Sequence, residues 1–235
     1  MTQIEATHID HMGSDLSVVN AARVSFGKSS ELVEEHYKMN GYPAIRRVLS
    51  ERDTKLIRYL AKHKHISPFG HAFASFHVKA PIFVARQLVK HKFLRWNEVS
   101  RRYVDDEPEF YKPTEWRGRS ADKKQGSSDT TVDFLRMQGF SEQSVHDGTV
   151  KHQMHSLDLY RDMLTAGVAP EQARMILPQS TMTEWYWSGS LDAFASMCQL
   201  RCKPDTQYES RLVADQISEK MRELFPVSWQ ALMDT

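Results

Sequence analysis

The chain of 235 residues is long enough for one large domain or two small ones. Its 40% hydrophobic and 26% charged residues are typical of a globular protein, and no apolar run approaches the ~20 residues of a membrane span. The chain has 31 Lys and Arg and 30 Asp and Glu, and the resulting net charge of +1 excludes a surface that is basic throughout. Cys198 and Cys202 form no disulfide framework, and the first 30 residues resemble no secretory leader. We therefore expect a soluble cytoplasmic protein whose cysteines are partly buried bystanders.

In the first third of the chain, the stretch 27–42 mixes glycine, serine and charges, which predicts loose structure. Ser50 and Asp53 have the spacing of a capping box and predict the start of a helix. The segment 72–80 alternates apolar and polar side chains, as a half-buried strand does. A helix is predicted over 81–92, because proline is favoured at the first helical position.

In the remainder of the chain, the stretch 105–133 holds few aliphatic residues and is predicted to be a flexible insertion. Helices outnumber strands and do not alternate with them regularly. The prediction is therefore α+β: a single domain over 1–235 with a mixed or antiparallel sheet flanked by long helices. Its later elements are predicted as helices over 142–166, 170–177, 190–200 and 205–224 and a strand over 181–187.

The densest chemical signal is the basic segment 86–103, which holds six Lys and Arg against one acid, Glu98. Such clustering is unfavourable unless an anion lies nearby. Gln87, Lys90 and His91 would share one face of the predicted helix, and that face suits a phosphorylated ligand with a polar ring. A solvated basic face is the bland alternative. The varied polar side chains in the second half of the segment favour a ligand site: Asn97, Glu98, Ser100 and Tyr103.

Two other functions fit parts of the sequence. A nucleic-acid-binding protein could use the basic segment 86–102, and a metal-dependent hydrolase could use His63, His65 and His71. These histidines lack the HExxH arrangement, so no metal site is predicted. Ser100 has no nucleophile elbow around it, and a hydroxyl that hydrogen-bonds a ligand is the better interpretation.

Six blocks of this sequence, in order, resemble the flavin-dependent thymidylate synthases. The most specific is Lys90-His91-Lys92 followed, after seven residues, by Ser100, which is similar to the family's Arg-His-Arg, seven residues, Ser signature. It is embedded in the run Asn97-Glu98-Val99-Ser100-Arg101-Arg102-Tyr103. The other blocks lie at 15–26, 65–71, 76–87, 173–178 and 200–201.

The resemblance implies reductive methylation of dUMP to dTMP with FAD as cofactor, methylenetetrahydrofolate as carbon donor and NADPH as reductant. It implies a homotetramer with active sites at subunit interfaces, no protein nucleophile, and no nucleic-acid or membrane partner. Arg201 would be the catalytic residue, because a cation against the pyrimidine favours its ionised form. The implied dUMP-binding residues are Gln87, Lys90, Glu98, Ser100, Arg101, Arg102, Arg174 and Arg201. The implied FAD-binding residues are Ser25, Ser67, Lys90, His91, Lys92, Glu98 and Ser190.

This sequence departs from the family pattern at several flavin positions. Lys90 and Lys92 replace the two signature arginines, which keeps the charge but loses the planar, two-pronged donor. Gly70 stands where the family often has a flavin-contacting glutamate, and Arg95 replaces a small residue. The stretch 188–192 lacks the family's asparagine and arginine. We therefore expect flavin contacts that differ in detail from the family's.

Overall fold

The alternating segment at 72–80 becomes an inner strand of an antiparallel sheet. The structure is a computed structural model that describes residues 4–104, 106–121, 126–135 and 143–235. In that part of the chain the elements are β1 (Glu5–Met12), α1 (Asp15–Arg23), β2 (Val33–Met39), β3 (Tyr42–Val48), α2 (Glu51–Lys62), β4 (Phe73–Pro81), α3 (Ile82–Leu88), β5 (Arg95–Glu98), β6 (Arg117–Arg119), β7 (Ser127–Thr131), β8 (Phe134–Leu135), β9 (Gln143–Ser144), α4 (Val145–Thr165), α5 (Pro170–Ala173), β10 (Met182–Ser190), α6 (Leu191–Arg201), α7 (Tyr208–Leu224) and α8 (Pro226–Met233).

The main sheet has the strand order β1-β4-β10-β5, with every pairing antiparallel. Alternate side chains of β4, among them Phe76 and Val78, are fully buried. Helices α6 and α7 pack against the sheet, and Phe194 of α6 lies edge-on to Phe76 with 5.3 Å between the ring centroids. The half-buried strand and the α+β class are thus confirmed.

Segments near the two ends of the described chain are joined across 210 to 213 positions. Gln216 of α7 accepts a hydrogen bond from Ala6 N (3.0 Å) and donates one to Ile4 O (3.2 Å). The Asp15 carboxylate accepts from Ser228 N (2.8 Å) in the first turn of α8. A carboxylate at that position satisfies free N–H groups and complements the helix dipole.

The helix predicted over 81–92 ends early, at Leu88. Phe93 then takes a left-handed backbone conformation, with φ of +68°. The turn that contains it packs against Gly189 of β10, where a Cβ atom would overlap the side chain of Leu94. The end of the helix is therefore set by a contact between distant segments, which local periodicity does not record.

This early end corrects the predicted helical face. Gln87 stays within α3, whereas Lys90 and His91 lie in the turn that follows it. His91 N donates to Leu88 O (3.1 Å), which tightens that turn. The three side chains consequently do not share one face of a helix.

The stretch 27–42 was predicted to be loosely structured, but it contains β2 and the tip of a β2–β3 hairpin. The tip residues Asn40 and Gly41 have φ of +52° and +88°, as a tight two-residue hairpin turn requires. Every residue of β2 is exposed, so this hairpin projects from the domain. Its glycine, serine and charged neighbours hid the strand pattern.

The stretch 105–133 was predicted to be a flexible insertion, and its described part holds the strand pair β6–β7. Residues 105 and 122–125 lie outside the described residues. Arg117 of β6 pairs with the buried Glu209 of α7 and lies over the Tyr208 ring at 4.3 Å from its centroid. These contacts attach the described part of the stretch to α7.

Most of the predicted helices are confirmed. Ser50 Oγ accepts from Asp53 N (3.1 Å) at the start of α2, as the capping-box spacing predicts. The helices predicted over 142–166, 190–200 and 205–224 correspond to α4, α6 and α7, although residue 142 lies outside the described residues. The helix predicted over 170–177 divides into α5 and a 3₁₀ turn. No helix in the described ranges is long and apolar enough to cross a bilayer.

Candidate functional site

A cavity of about 550 Å³ lies beside the end of β5, and it is lined by residues 98–101 of the basic segment. Glu98, Ser100 and Arg101 line it from β5 and the turn after it. Arg86 of α3 and Arg174, which follows α5, add two more cations. Neither Arg86 nor Arg174 forms an ion pair with a described carboxylate, so their charges are available to an anionic ligand.

The carboxylate of Glu98 is held by two neutral donors. Trp96 Nε1 donates to its Oε2 atom (3.1 Å), and Thr183 Oγ1 donates to its Oε1 atom (2.9 Å). Trp96 and Glu98 are two residues apart on β5 and therefore lie on the same face of the strand. The lining of the cavity thus combines a fixed carboxylate with the guanidinium groups of three arginines.

Ser100 and its neighbours form a local network beside this cavity. Ser100 Oγ accepts from Arg102 Nε (3.0 Å), and the Arg102 guanidinium lies 4.9 Å from the centroid of the Tyr103 ring. Arg101 pairs with Asp106 at 3.5 Å. Ser100 therefore accepts a hydrogen bond from a cation, and no described base takes its proton.

Gln87, His91 and Arg201 form a second cluster, between the end of α3 and the end of α6. Arg201 Nε donates to His91 Nε2 (2.9 Å), and Arg201 Nη2 approaches Gln87 O (3.5 Å). Gln87 Oε1 accepts from the hydroxyl of Ser210 (3.0 Å), which is fully buried in α7. The cluster fixes the guanidinium of Arg201 through two acceptors.

Burial and the adjacent charge of Arg201 lower the pKa of His91 to about 4. Burial also lowers the pKa of Arg201 below its ordinary value. His91 is therefore neutral near pH 7, and its Nε2 atom is free to accept the hydrogen bond from Arg201. The positive charge of this pair resides on the guanidinium.

Two further cavities contain most of the residues expected to bind flavin. Lys90, His91 and Lys92 line a cavity of about 720 Å³, together with Lys64. Ser25 and Ser67 line another of about 630 Å³, on the other side of the segment 60–67. Ser190 is the N-cap residue of α6, but its side chain makes no capping hydrogen bond.

The donor set of these cavities fits a dinucleotide cofactor. Lys64, Lys90 and Lys92 form no ion pair with any carboxylate in the described ranges, so three cations remain for phosphates. The same cavity has apolar walls that include Ala193 and Leu232, and apolar walls with a few polar groups are typical of cofactor sites.

The described residues do not favour the two alternative functions. His63 and His65 pack around the Tyr59 ring, at 4.3 and 6.2 Å between centroids, and no metal-binding cluster of His, Cys, Asp or Glu occurs among the residues searched. The cations of the basic segment 86–102 are divided between cavities: Lys90 and Lys92 line one, and Arg86 and Arg101 line another.

Cys198 is not placed to act as a nucleophile. Cys198 is fully buried and donates to Ala214 O (3.6 Å), and Cys202 is half-buried. Burial raises the pKa of Cys198 well above its ordinary value, which keeps it a thiol. This agrees with the expectation from the sequence that the cysteines are partly buried.

Three residues that support the clusters were not singled out from the sequence. Thr183 and Ser210 belong to elements far from their partners in the chain, and no local pattern identifies them. Arg86 was counted only as part of the basic run. Trp96 was not linked to Glu98, although a two-residue spacing on a strand predicts a shared face.

Comparisons with known proteins agree with this fold. The family described as thymidylate synthase complementing protein matches residues 7–227. A flavin-dependent thymidylate synthase of Thermus thermophilus is 37% identical over 223 residues, covering 95% of this chain and 73% of that protein. One from Thermosipho melanesiensis is 33% identical over 225 residues, with coverage of 96% and 88%.

Solved structures give the same result. The UMP/dUMP methylase PolB of Streptomyces cacaoi bound with 5-Br dUMP superposes with a TM-score of 0.76 at 28% identity, covering 99% of this chain and 96% of that one. Its complex with 5-Br UMP has a TM-score of 0.71. The α+β fold described above is therefore one that a pyrimidine-nucleotide methylase also has. The chain belongs to the thymidylate synthase complementing protein family.

Proposed function

We propose that this protein is a flavin-dependent thymidylate synthase that converts dUMP to dTMP. FAD is its cofactor, methylenetetrahydrofolate its carbon donor and NADPH its reductant. The observation that carries the proposal is the family match over residues 7–227, which spans every cluster described above. The cations around one cavity can bind the phosphate of a nucleoside monophosphate, and the fixed carboxylate can accept its hydrogen bonds.

The dUMP site combines two of the clusters. The guanidinium groups of Arg101 and Arg174 bind the phosphate, with Arg102 and Ser100 beside them, and Glu98 accepts from donor groups of the nucleotide. Gln87 and Lys90 hold the uracil ring. Arg201 stabilises the negative charge that develops on the ring when C5 gains electron density, and a preorganised cation is an effective way to do so.

The flavin site uses the two larger cavities. Lys90, His91 and Lys92 hold the phosphates and the ring system, Ser25 and Ser67 contact the cofactor from the other cavity, and Glu98 and Ser190 complete the set. When bound, the flavin carries the redox chemistry, while the side chains bind and orient the reactants. No protein nucleophile is required, in agreement with the buried thiol of Cys198.

The substrate range is a second question that the comparisons raise. The PolB structures hold both a UMP and a dUMP analogue. UMP is therefore a candidate alternative substrate of this chain, and every assay below should be run with both nucleotides. Since the sugar 2′-hydroxyl is the only difference between them, the ratio of their kcat/KM values measures its recognition.

The decisive experiment is dTMP formation by the purified protein. The wild-type protein should show flavin absorbance and form dTMP only with dUMP, methylenetetrahydrofolate, NADPH and FAD all present. Arg201→Ala should lose about 10²–10³ in rate, whereas Ser100→Ala should weaken dUMP binding by about 1 kcal/mol and keep measurable turnover. The Cys198→Ala/Cys202→Ala double variant is the control and should remain active.

A colourless protein that forms no dTMP would rule out the proposal. Normal turnover by Arg201→Ala, together with an inactive Ser100→Ala or cysteine variant, would instead restore a protein nucleophile to the mechanism.

A further inference from the structure

The indole ring of Trp96 is fixed by two buried tryptophans. It stacks on Trp185 with 4.3 Å between ring centroids and an interplanar angle of 19°. It also meets Trp187 edge-on, at 5.8 Å and 77°. Trp185 and Trp187 are each 1% exposed and belong to β10, the strand that pairs with β5. The direction of the Trp96 N–H group is therefore set by the core of the sheet.

The Trp96 N–H group and the Thr183 hydroxyl point at the same carboxylate, that of Glu98. Thr183 is only 5% exposed, so its hydroxyl has little access to water as an alternative hydrogen-bond partner. Each carboxylate oxygen accepts one of these bonds and has a lone pair left for a ligand. No described Lys, Arg or His forms an ion pair with Glu98, so its charge is not already used.

The fixed position of this carboxylate is important because of the residues around it. Arg86, Arg101 and Arg174 line the same cavity. A freely rotating Glu98 could pair with one of these guanidinium groups, and that pairing would compete with an anionic ligand. Two neutral donors oppose this rotation without adding charge.

We propose that Trp96 and Thr183 are positioning residues that fix the Glu98 carboxylate for nucleotide binding and keep it apart from the arginines of the cavity. The inference rests on the proposed function, because it takes dUMP as the ligand. Trp96 acts through Glu98 and through the order it imposes on the cavity before the ligand arrives. Preorganisation of this kind reduces the cost of ordering side chains on binding.

The test uses Trp96→Phe, which keeps an aromatic ring for stacking but deletes the N–H donor. Trp185→Phe is the matched control, because Trp185 Nε1 has no hydrogen-bond partner among the described residues. Trp96→Phe should raise the dissociation constant and the KM for dUMP about three- to tenfold. The kcat at saturating dUMP should change little, as expected when uniform binding is lost. Trp185→Phe should change the KM for dUMP much less.

A double-mutant cycle with Glu98→Gln separates positioning from packing. If Trp96 acts through Glu98, Trp96→Phe should have little further effect on dUMP binding in the Glu98→Gln background. Thr183→Val deletes the other donor at nearly constant volume and should behave in the same way. It carries the test alone if Trp96→Phe fails to give a native circular dichroism spectrum.

Equal effects of Trp96→Phe and Trp185→Phe, or effects of Trp96→Phe and Glu98→Gln that simply multiply, would overturn the positioning role. In both cases the wild-type holoenzyme still binds dUMP and forms dTMP, and the proposed function stands. If the wild-type holoenzyme binds no dUMP, the proposed function and this inference fail together.

Discussion

The hydrogen bond between Arg201 and His91 shows how one side chain can set the chemistry of another. Because His91 is neutral, it accepts from Arg201 Nε without repelling the guanidinium. A protonated imidazole could not accept this bond and would place two positive charges in contact. The neutral form therefore keeps the full positive charge of Arg201 at a fixed place in the proposed uracil site.

The same contact predicts a pH dependence of stability. The pKa of His91 is about 4 in the folded protein and 6.5 ordinarily, so unfolding between these values takes up a proton. The His91 contribution to folding stability is therefore complete above pH 6.5 and is lost as the pH falls from 6.5 towards 4. We expect His91→Asn to lose less stability than wild type between pH 7 and pH 5, as measured by urea unfolding.

His36→Asn provides the control for this experiment, because His36 lies on the exposed strand β2. Its stability should fall between pH 7 and pH 5 as much as that of the wild type. If His91→Asn shows the wild-type pH dependence as well, the neutral histidine does not contribute as described.

At the scale of elements, the exposed β2–β3 hairpin is held at its base by hydrogen bonds to the carboxylate of Asp53 and to the side-chain amide of Asn20, which bonds Ser30. Asp53 accepts from Ser30 Oγ (2.9 Å) on one side of the hairpin and from Ser50 Oγ (2.7 Å) on the other. Arg23 Nε donates to it as well, at 3.0 Å. Asp53 is 3% exposed, so these bonds replace its contact with water.

Removing this carboxylate should release the hairpin. We expect Asp53→Asn to increase amide hydrogen exchange throughout β2 and β3 and to destabilise the protein by about 1–3 kcal/mol, since buried partners lose their acceptor. Glu35→Gln is the matched control: it removes the exposed Glu35–Arg46 ion pair within the hairpin, and such pairs contribute ~0–1 kcal/mol. Equal exchange in the two variants would show that Asp53 does not anchor the hairpin.

Acid should have an effect similar to that of Asp53→Asn. Burial raises the pKa of Asp53, but the hydrogen bonds from Arg23, Ser50 and Ser30 outweigh it and hold the pKa below its ordinary value of 3.8. The stabilisation is therefore present above pH 3.8 and is lost as the pH falls through the lower, folded-state value.

The elements that were predictable from the sequence carry their signal locally. The capping pair Ser50 and Asp53 identified α2, and the alternation at 72–80 identified β4. The hairpin was missed even though Asn40-Gly41 between alternating apolar residues is a strong turn signal. The four-residue strand β5 was not predicted, because it is short and lies in a segment of charged residues where the alternation is weak.

The residues of the candidate site likewise divide into those with a local sequence signal and those without one. Glu98, Ser100 and Arg101 are adjacent in sequence, so a local motif could group them around one cavity. Arg174 joined them only through the family resemblance. The supporting contacts from Thr183 and Ser210 depend on how distant elements pack, and no sequence spacing encodes them.

At the scale of the whole molecule, the proposed dUMP residues are distributed over separate places in one chain. Arg174 lines the cavity beside Glu98, whereas Arg201 lies with His91 at the end of α6 and does not line that cavity. If each active site needs both arginines, one subunit can supply Arg174 and another Arg201. The proposed homotetramer with shared active sites would provide this arrangement.

Mixing inactive variants tests the sharing of sites. Arg174→Ala and Arg201→Ala, each inactive alone, should recover part of the dTMP-forming activity after subunits are exchanged, because hybrid oligomers contain some sites with both arginines. Arg174→Ala mixed with Arg101→Ala should recover none, since these residues line one cavity. Light scattering should give the mass of a tetramer. A monomer, or no recovery in the first mixture, would contradict shared sites.

The contacts of Gln216 and Asp15 have a consequence for how the chain is made. Ile4, Ala6 and Asp15 leave the ribosome early, but their partners lie 210 to 213 positions later. At roughly 5–20 residues per second, that delay is about 10–40 s. During this time Asp15 has no helix terminus to cap, and Ala6 N and Ile4 O lack their bonds to the Gln216 side chain. The domain can be closed only after α7 and α8 have emerged from the ribosome, so its final assembly must wait for the synthesis of these two helices.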